Sequence, residues 1–131
     1  MEIEQIYQKF PTFDECSMFL EKVRWKGKPI CPYCGSKRAT PIHNEHRYHC
    51  NRCHTSFSVT TGTLFHRTHL PLQKWFLAIK LLIGERQNLS ARRLSKALEV
   101  DKNTAWLVIT RIDRAMRKAE QRDFLQAIVN S

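Results

Sequence analysis

The sequence predicts a small α+β protein: an N-terminal helix, a four-cysteine ribbon with a short antiparallel β-sheet, then a helix-turn-helix three-helix bundle. Three observations predict it. Two Cys-x-x-Cys pairs, Cys31/Cys34 and Cys50/Cys53, stand fifteen residues apart. Short β-type runs lie between and just after them, and from Leu72 onward the apolar residues recur at helical spacing. The first helix and the ribbon are assigned to residues 1–70 and the bundle to residues 71–131. With 42% hydrophobic and 26% charged residues in 131, the chain has the composition of folded protein.

The first helix is predicted from the capping-box form of Thr12-Phe13-Asp14-Glu15, in which the N-cap side chain and the glutamate satisfy each other's backbone N–H groups. Phe13, Cys16, Leu20 and Val23 then give one apolar stripe through about Trp25. Cys16, on that stripe and without a partner at knuckle spacing, reads as a buried reduced thiol. Gly27, Pro29 and Pro32 break the helix. Three β-type runs follow, Ala39 to His43, Arg47 to Cys50 and Ser56 to Val59, and Thr60-Thr61-Gly62-Thr63 ends the sheet.

Pro71 suits the first turn of a helix, where its missing N–H has no partner to lose. Leu72, Trp75, Phe76, Ile79, Leu82 and Ile83 line one broad face of that helix, predicted to end near Glu85. Ser90 and Asp101 are expected N-caps, the first for a helix over Ala91 to Leu98, the second for a long one running to about Ala119. Arg122 to Val129 is either a further short helix or a frayed tail.

In a reducing compartment, paired cysteines read as a metal site and not as disulfides. MEIEQIYQKF carries neither a basic nor an apolar leader segment, which predicts a cytoplasmic protein. Cys31, Cys34, Cys50 and Cys53 form a set of four soft ligands on two tight-turning arms, the donor set of tetrahedral Zn2+. Four thiolates close the coordination sphere and leave no place for water, so the ion is expected to be single, structural and non-catalytic, ordering a segment too short to order itself. His43, His46, His49 and His54 crowd the same segment and are expected on the hairpin surface or in its packing. The same knuckles could hold iron in a rubredoxin-like electron carrier, a reading that the chain's strong positive charge disfavours.

The 22 Lys and Arg against 12 Asp and Glu give a formal charge of +10, which favours a polyanionic partner. The longest apolar-rich stretch, Trp75 to Ile83, contains Lys80 and is far short of a spanning helix, so no membrane is expected. In the helix-turn-helix reading, Leu94, Leu98, Val100, Ala105, Val108, Ile109 and Ile112 point inward, with small Ser95 at the crossing and Glu99 in the place of the usual turn glycine. Lys102, Asn103, Thr104, Trp106 and Leu107 then face the major groove of double-stranded DNA. Ser90, Arg92 and Arg93 flank the preceding helix where phosphates lie, with Arg111, Arg114 and Lys118 behind. For Trp106, packing on a neighbour is slightly favoured over stacking on DNA.

The order "RWKGKPICPYCGS", "YHCNRCHTSFSVTTGTLF", "LPLQKWFLAIKLL" and "LSARRLSKALEVDKNTAWLVITRI" resembles the N-terminal half of bacterial insertion-sequence transposases, in which a zinc ribbon and a helix-turn-helix precede an RNase H-like DDE catalytic domain. The resemblance covers nearly the whole chain. It implies recognition of terminal inverted repeats by this half and cleavage by the other. Asp101, Asp113 and Asp123 fall in or beside helices and make no acidic triad, so no catalytic residues and no enzymatic activity are expected. The implied roles are a recognition module, partnered by a catalytic transposase domain, or a stand-alone regulator working at the nucleoid with a host or phage protein. A palindromic target would imply a homodimer. The alternative is a zinc-ribbon adaptor joining proteins of a transcription, replication or phage–host complex.

Overall fold

The computed structural model describes residues 3–42, 46–66, 69–85 and 88–131. Among these are six α-helices and a three-stranded antiparallel sheet in the order β1-β2-β3. The helices are α1 (Ile3–Lys9), α2 (Phe13–Trp25), α3 (Leu72–Ile79), α4 (Ala91–Leu98), α5 (Lys102–Met116) and α6 (Ala119–Val129). The strands are β1 (Ala39–Ile42), β2 (Arg47–Cys50) and β3 (Ser56–Phe57).

The capping box forms as the sequence predicts. The Thr12 N–H donates to the Glu15 carboxylate at 3.0 Å and the Thr12 hydroxyl donates to the same oxygen. These bonds, the Thr12 hydroxyl's foremost, hold the Glu15 carboxyl below its ordinary range. The stripe of α2 is narrower than expected. Cys16 and Leu20 are buried, while Phe13 is 50% exposed and meets the His46 ring edge to face. Burial pushes the Cys16 thiol up to about 12, as befits an inert core thiol.

β1 pairs with β2 in a register running from Ala39 opposite Cys50 to Ile42 opposite Arg47. Pro41 fits there because β1 is an edge strand, where one N–H is spared. His43 lies outside the described residues. The third run is shorter than predicted: only Ser56 and Phe57 join the sheet, opposite His49 and Tyr48. From Ser58 the chain turns into a loop held by the Ser58 and Thr63 N–H groups and the Thr61 hydroxyl oxygen.

The sheet docks on α2 through three rings. Trp25 sets its edge against Tyr48 and Phe57, each at 5.6 Å, while Tyr48 and Phe57 stack at 5.8 Å. The Tyr48 hydroxyl donates to Glu21 of α2, and burial first, then that carboxylate, pushes the phenol up to about 12. Arg24 completes the joint, its guanidinium donating to the Val59 and Thr61 carbonyls at 2.7 and 2.8 Å. Burial lowers its pKa, and the head lies 5.6 Å from the Trp25 ring centre.

α3 is the hub of the core. The sequence predicts one apolar face, but Leu77 and Ala78 are buried along with Leu72, Trp75, Phe76 and Ile79, because α1, α2, α4, α5 and α6 all touch it. Phe76 meets the edge of Phe10 at 5.0 Å, and Trp75 meets Phe65 at 5.6 Å. The helix does not continue regularly to Glu85. It widens into a π-helical turn over Lys80–Gly84, closed by the Glu85 N–H on the Lys80 carbonyl at 2.9 Å. α1, unforeseen from the sequence, seats Ile6 and Phe10 in this core. The segment predicted as helix or frayed tail is helical, and α6 buries Phe124, Leu125 and Ile128. α5 stops at Met116, one turn short of expectation. Among the described residues no helix is long and apolar enough to cross a membrane.

Candidate metal centre and nucleic-acid interface

The two knuckles are built alike. The Gly35 N–H donates to the Cys31 carbonyl at 2.9 Å, and the His54 N–H donates to the Cys50 carbonyl at 2.9 Å. Each loop is closed by a second pair, Cys31 N–H to the Ser36 carbonyl and Cys50 N–H to the Thr55 carbonyl, at 2.9 and 3.0 Å. Both turns need a left-handed residue after the second cysteine. Gly35 supplies it with φ +75° and His54 with φ +60°. His54 therefore serves as the turn residue of its arm.

The four sulfurs of Cys31, Cys34, Cys50 and Cys53 lie within 4.8 Å of one another. Cys31 and Cys53 are 3.7 Å apart and Cys34 and Cys50 3.5 Å, against the roughly 3.8 Å between sulfurs on a tetrahedral Zn2+ with ~2.3 Å bonds. The donor set thus fits one structural Zn2+, held by four thiolates and closed to water. The Cys53 N–H, 3.5 Å from the Cys50 sulfur, lowers that thiol to about 6, while its neighbour Cys34 is pushed up to about 11. Of the histidines, His46 contacts Asp14 at 2.7 Å, and the rings of His49 and His54 sit 5.8 Å apart. Among the described residues none joins the cysteine cluster.

In the second region, Ser90 caps α4 by accepting the Arg93 N–H at 3.3 Å. Asp101 caps α5 by accepting the Thr104 N–H at 2.6 Å, a bond that holds its carboxyl below the usual range. Between them Glu99 takes φ +57°, with its N–H on the Lys96 carbonyl and the Val100 N–H on the Ser95 carbonyl. This is a Schellman turn in which glutamate stands where glycine is easiest. Leu94, Leu98, Ala105, Val108 and Ile112 are buried.

Outward, Arg92, Arg93, Lys102 and Asn103 are exposed and Thr104 is half-buried. Trp106 corrects the preference for packing: it is 62% exposed, beside Leu107 at 41%. Arg111 is placed differently from its neighbours, donating to the Leu64 and His66 carbonyls at 3.3 and 2.9 Å. Sequence reasoning gave no role to Arg24, His66 or Gln121, which hold the loop after the sheet. Their partners are backbone groups, for Arg24 and Gln121 far along the chain, a relation that leaves no periodic signal.

Residues 11–56 match the transposase zinc-ribbon domain family. The chain is also similar to an uncharacterised protein in transposable element ISH50 of Halobacterium salinarum, 33% identical over 100 residues. That stretch is 74% of this chain and extends well beyond the ribbon, yet the chain spans only about a third (33%) of the relative's length. No solved structure matches. The matched domain is a zinc ribbon, not a catalytic domain. Ribbon, metal cluster and relative agree with the resemblance drawn from the sequence: residues 11–56 carry a transposase zinc ribbon, in a chain similar to part of a transposable-element protein.

Proposed function

We propose that the chain binds double-stranded DNA sequence-specifically through α4, the Schellman turn and α5. It would serve as the terminal-repeat recognition part of a transposase or as a stand-alone regulator derived from one. The observation that supports this most is the uncovered first half of α5. Lys102, Asn103, Trp106 and Leu107 stand in solvent with Arg92 and Arg93 of α4 close by in the motif. An indole and a leucine left in water are costly unless a partner covers them, and a groove offers sugar and thymine methyl surface together with purine edges for Asn103.

In this reading residues 71–131 bind the duplex and residues 1–70 form the metal-ordered ribbon that braces them. The protein works in the cytoplasm at the nucleoid, beside a catalytic domain or a host or phage protein, as a homodimer if its site is a palindrome and as a monomer if it is a single half-site. The test is duplex binding across salt concentration. Phosphate contacts make the affinity fall log-linearly with salt. Asn103→Ala is expected to relax sequence preference and to cost about 1–3 kcal/mol. Arg93→Ala is expected to weaken all duplexes alike and lower the salt slope by about one. An affinity that ignores salt would favour the protein-adaptor alternative.

A further inference from the structure

The second half of α5 carries a feature that base reading does not use. A cavity of about 290 Å³ lies between this half and the loop that leaves the sheet, lined by Thr63, His66, Arg111, Arg114, Lys118 and Gln121 among others. Among the described residues no carboxylate is on its wall. The only acid of this half of α5, Asp113, lies outside it and pairs with Arg117 at 3.2 Å. Arg111 and Arg114, one turn apart on α5, and Lys118, the N-cap of α6, therefore line one concavity with no carboxylate among the described residues of its wall.

The wall is prearranged. Arg111 is fixed by the Leu64 and His66 carbonyls. Gln121 accepts the Leu64 N–H at 3.2 Å through Oε1, so its amide donors remain. His66 accepts the Gly62 N–H on Nδ1 at 3.1 Å, which puts the proton of the neutral ring on Nε2, a donor. The loop itself is held from the other side by Arg24 on the Thr61 carbonyl. Gly62, at φ +77°, lies against Pro32 of the first knuckle, whose Cβ would be 3.9 Å from any side chain placed there.

We propose that this cavity seats a phosphate of the DNA backbone, gripped by Arg114 and Lys118 with donors from Arg111, His66 and Gln121. Cations and fixed donors around a concave site suit a phosphate's charge and its several acceptor oxygens. The seat lies about three helical turns from Asn103, so it would clamp the backbone flanking the bases that the start of α5 reads. It also joins the ribbon to the duplex, because the loop forming one wall is held against the knuckle. The proposal rests on the DNA reading above.

The test uses the full zinc-loaded chain and the double variant Arg114→Gln/Lys118→Gln, both positions being exposed and outside the core. Folding of the variant is checked by circular dichroism and metal content. The variant is expected to bind every duplex about tenfold more weakly at low salt, with the salt slope reduced by one to two units and the sequence preference unchanged. In parallel, inorganic phosphate titrated into the wild-type chain is expected to move the amide resonances of Thr63 to His66 and Arg114 to Lys118 saturably. If wild type binds duplex and the variant matches it in affinity and slope, the seat is wrong while the DNA reading stands. If wild type binds no duplex at any salt, the DNA reading falls and the backbone seat with it. Localised phosphate shifts would then mark a site for free phosphate.

Discussion

Gly35 and His54 occupy one backbone position in two copies of a single turn, and only one of them is the residue that turn prefers. A side chain in the left-handed region costs on the order of 1 kcal/mol, partly offset because glycine loses more chain entropy on folding. His54→Gly is therefore expected to keep the metal and to leave stability unchanged or raised by up to about 1 kcal/mol, as read by thermal denaturation of the zinc-loaded protein. Were His54 a ligand, the same change would lower the metal content. The thiols make a second residue-level prediction. With zinc bound, four sulfurs are engaged and the fifth, Cys16, is buried with its pKa near 12. A thiol reagent is expected to find none that react quickly, then four after chelation, and the fifth only on full unfolding. The cysteine spacing made the metal site legible. The turn role of His54 was not, because a left-handed φ at a non-glycine residue leaves no mark in composition.

At the level of elements, those defined by local chemistry came out of the sequence closely. α4 begins after Ser90 and α5 after Asp101, each cap bonding the N–H three residues on. Elements defined by tertiary contact did not. α1 gains its helix from the face of α3 it covers, where Ile6 and the following Phe10 enter the core. β3 loses Ser58 and Val59 because the chain turns there so that its carbonyls reach Arg24. The widening of α3 into a π-helical turn has no sequence signature at all. The joint between α2 and the sheet is likewise tertiary, and Trp25 is its centre. Trp25→Ala is expected to cost about 3–5 kcal/mol, through the lost burial and the cavity left behind. None of the four sulfur ligands lies on α2, so the variant is expected to keep its metal below the melting point. A loss of metal in the folded variant would show that the knuckles depend on the helix.

For the whole molecule, two supports of different kind hold one chain. The helices share an apolar core around Trp75 and Phe76, whereas the strands and knuckles own few buried side chains beyond Phe57, Cys31 and Cys50. Chelation, or Cys50→Ser, is accordingly expected to disorder residues 31–65 while most of the helical circular dichroism remains. Acid acts in the same direction. Zinc binds thiolates, so each ligand cysteine protonated as pH falls weakens the hold on the ion, and the ribbon is expected to open at a higher pH than the helical core unfolds. Metal content against pH, compared with ellipticity, checks the order of events. The charge of +10 that first pointed to nucleic acid was legible from composition. The exposed basic residues of α4 and the start of α5 were legible from the cap positions, but the concavity behind Arg114 required the fold.

Arg24 belongs to the helix before the knuckles, yet its two bonds fix the strand of chain that comes after them. The smallest piece that could be grafted onto another scaffold is thus not the segment bounded by the cysteines. A graft of residues 31–56 would carry the ion but leave the following loop without its anchor, whereas one that starts at the Thr12 cap and runs past Gly62 carries its own alignment.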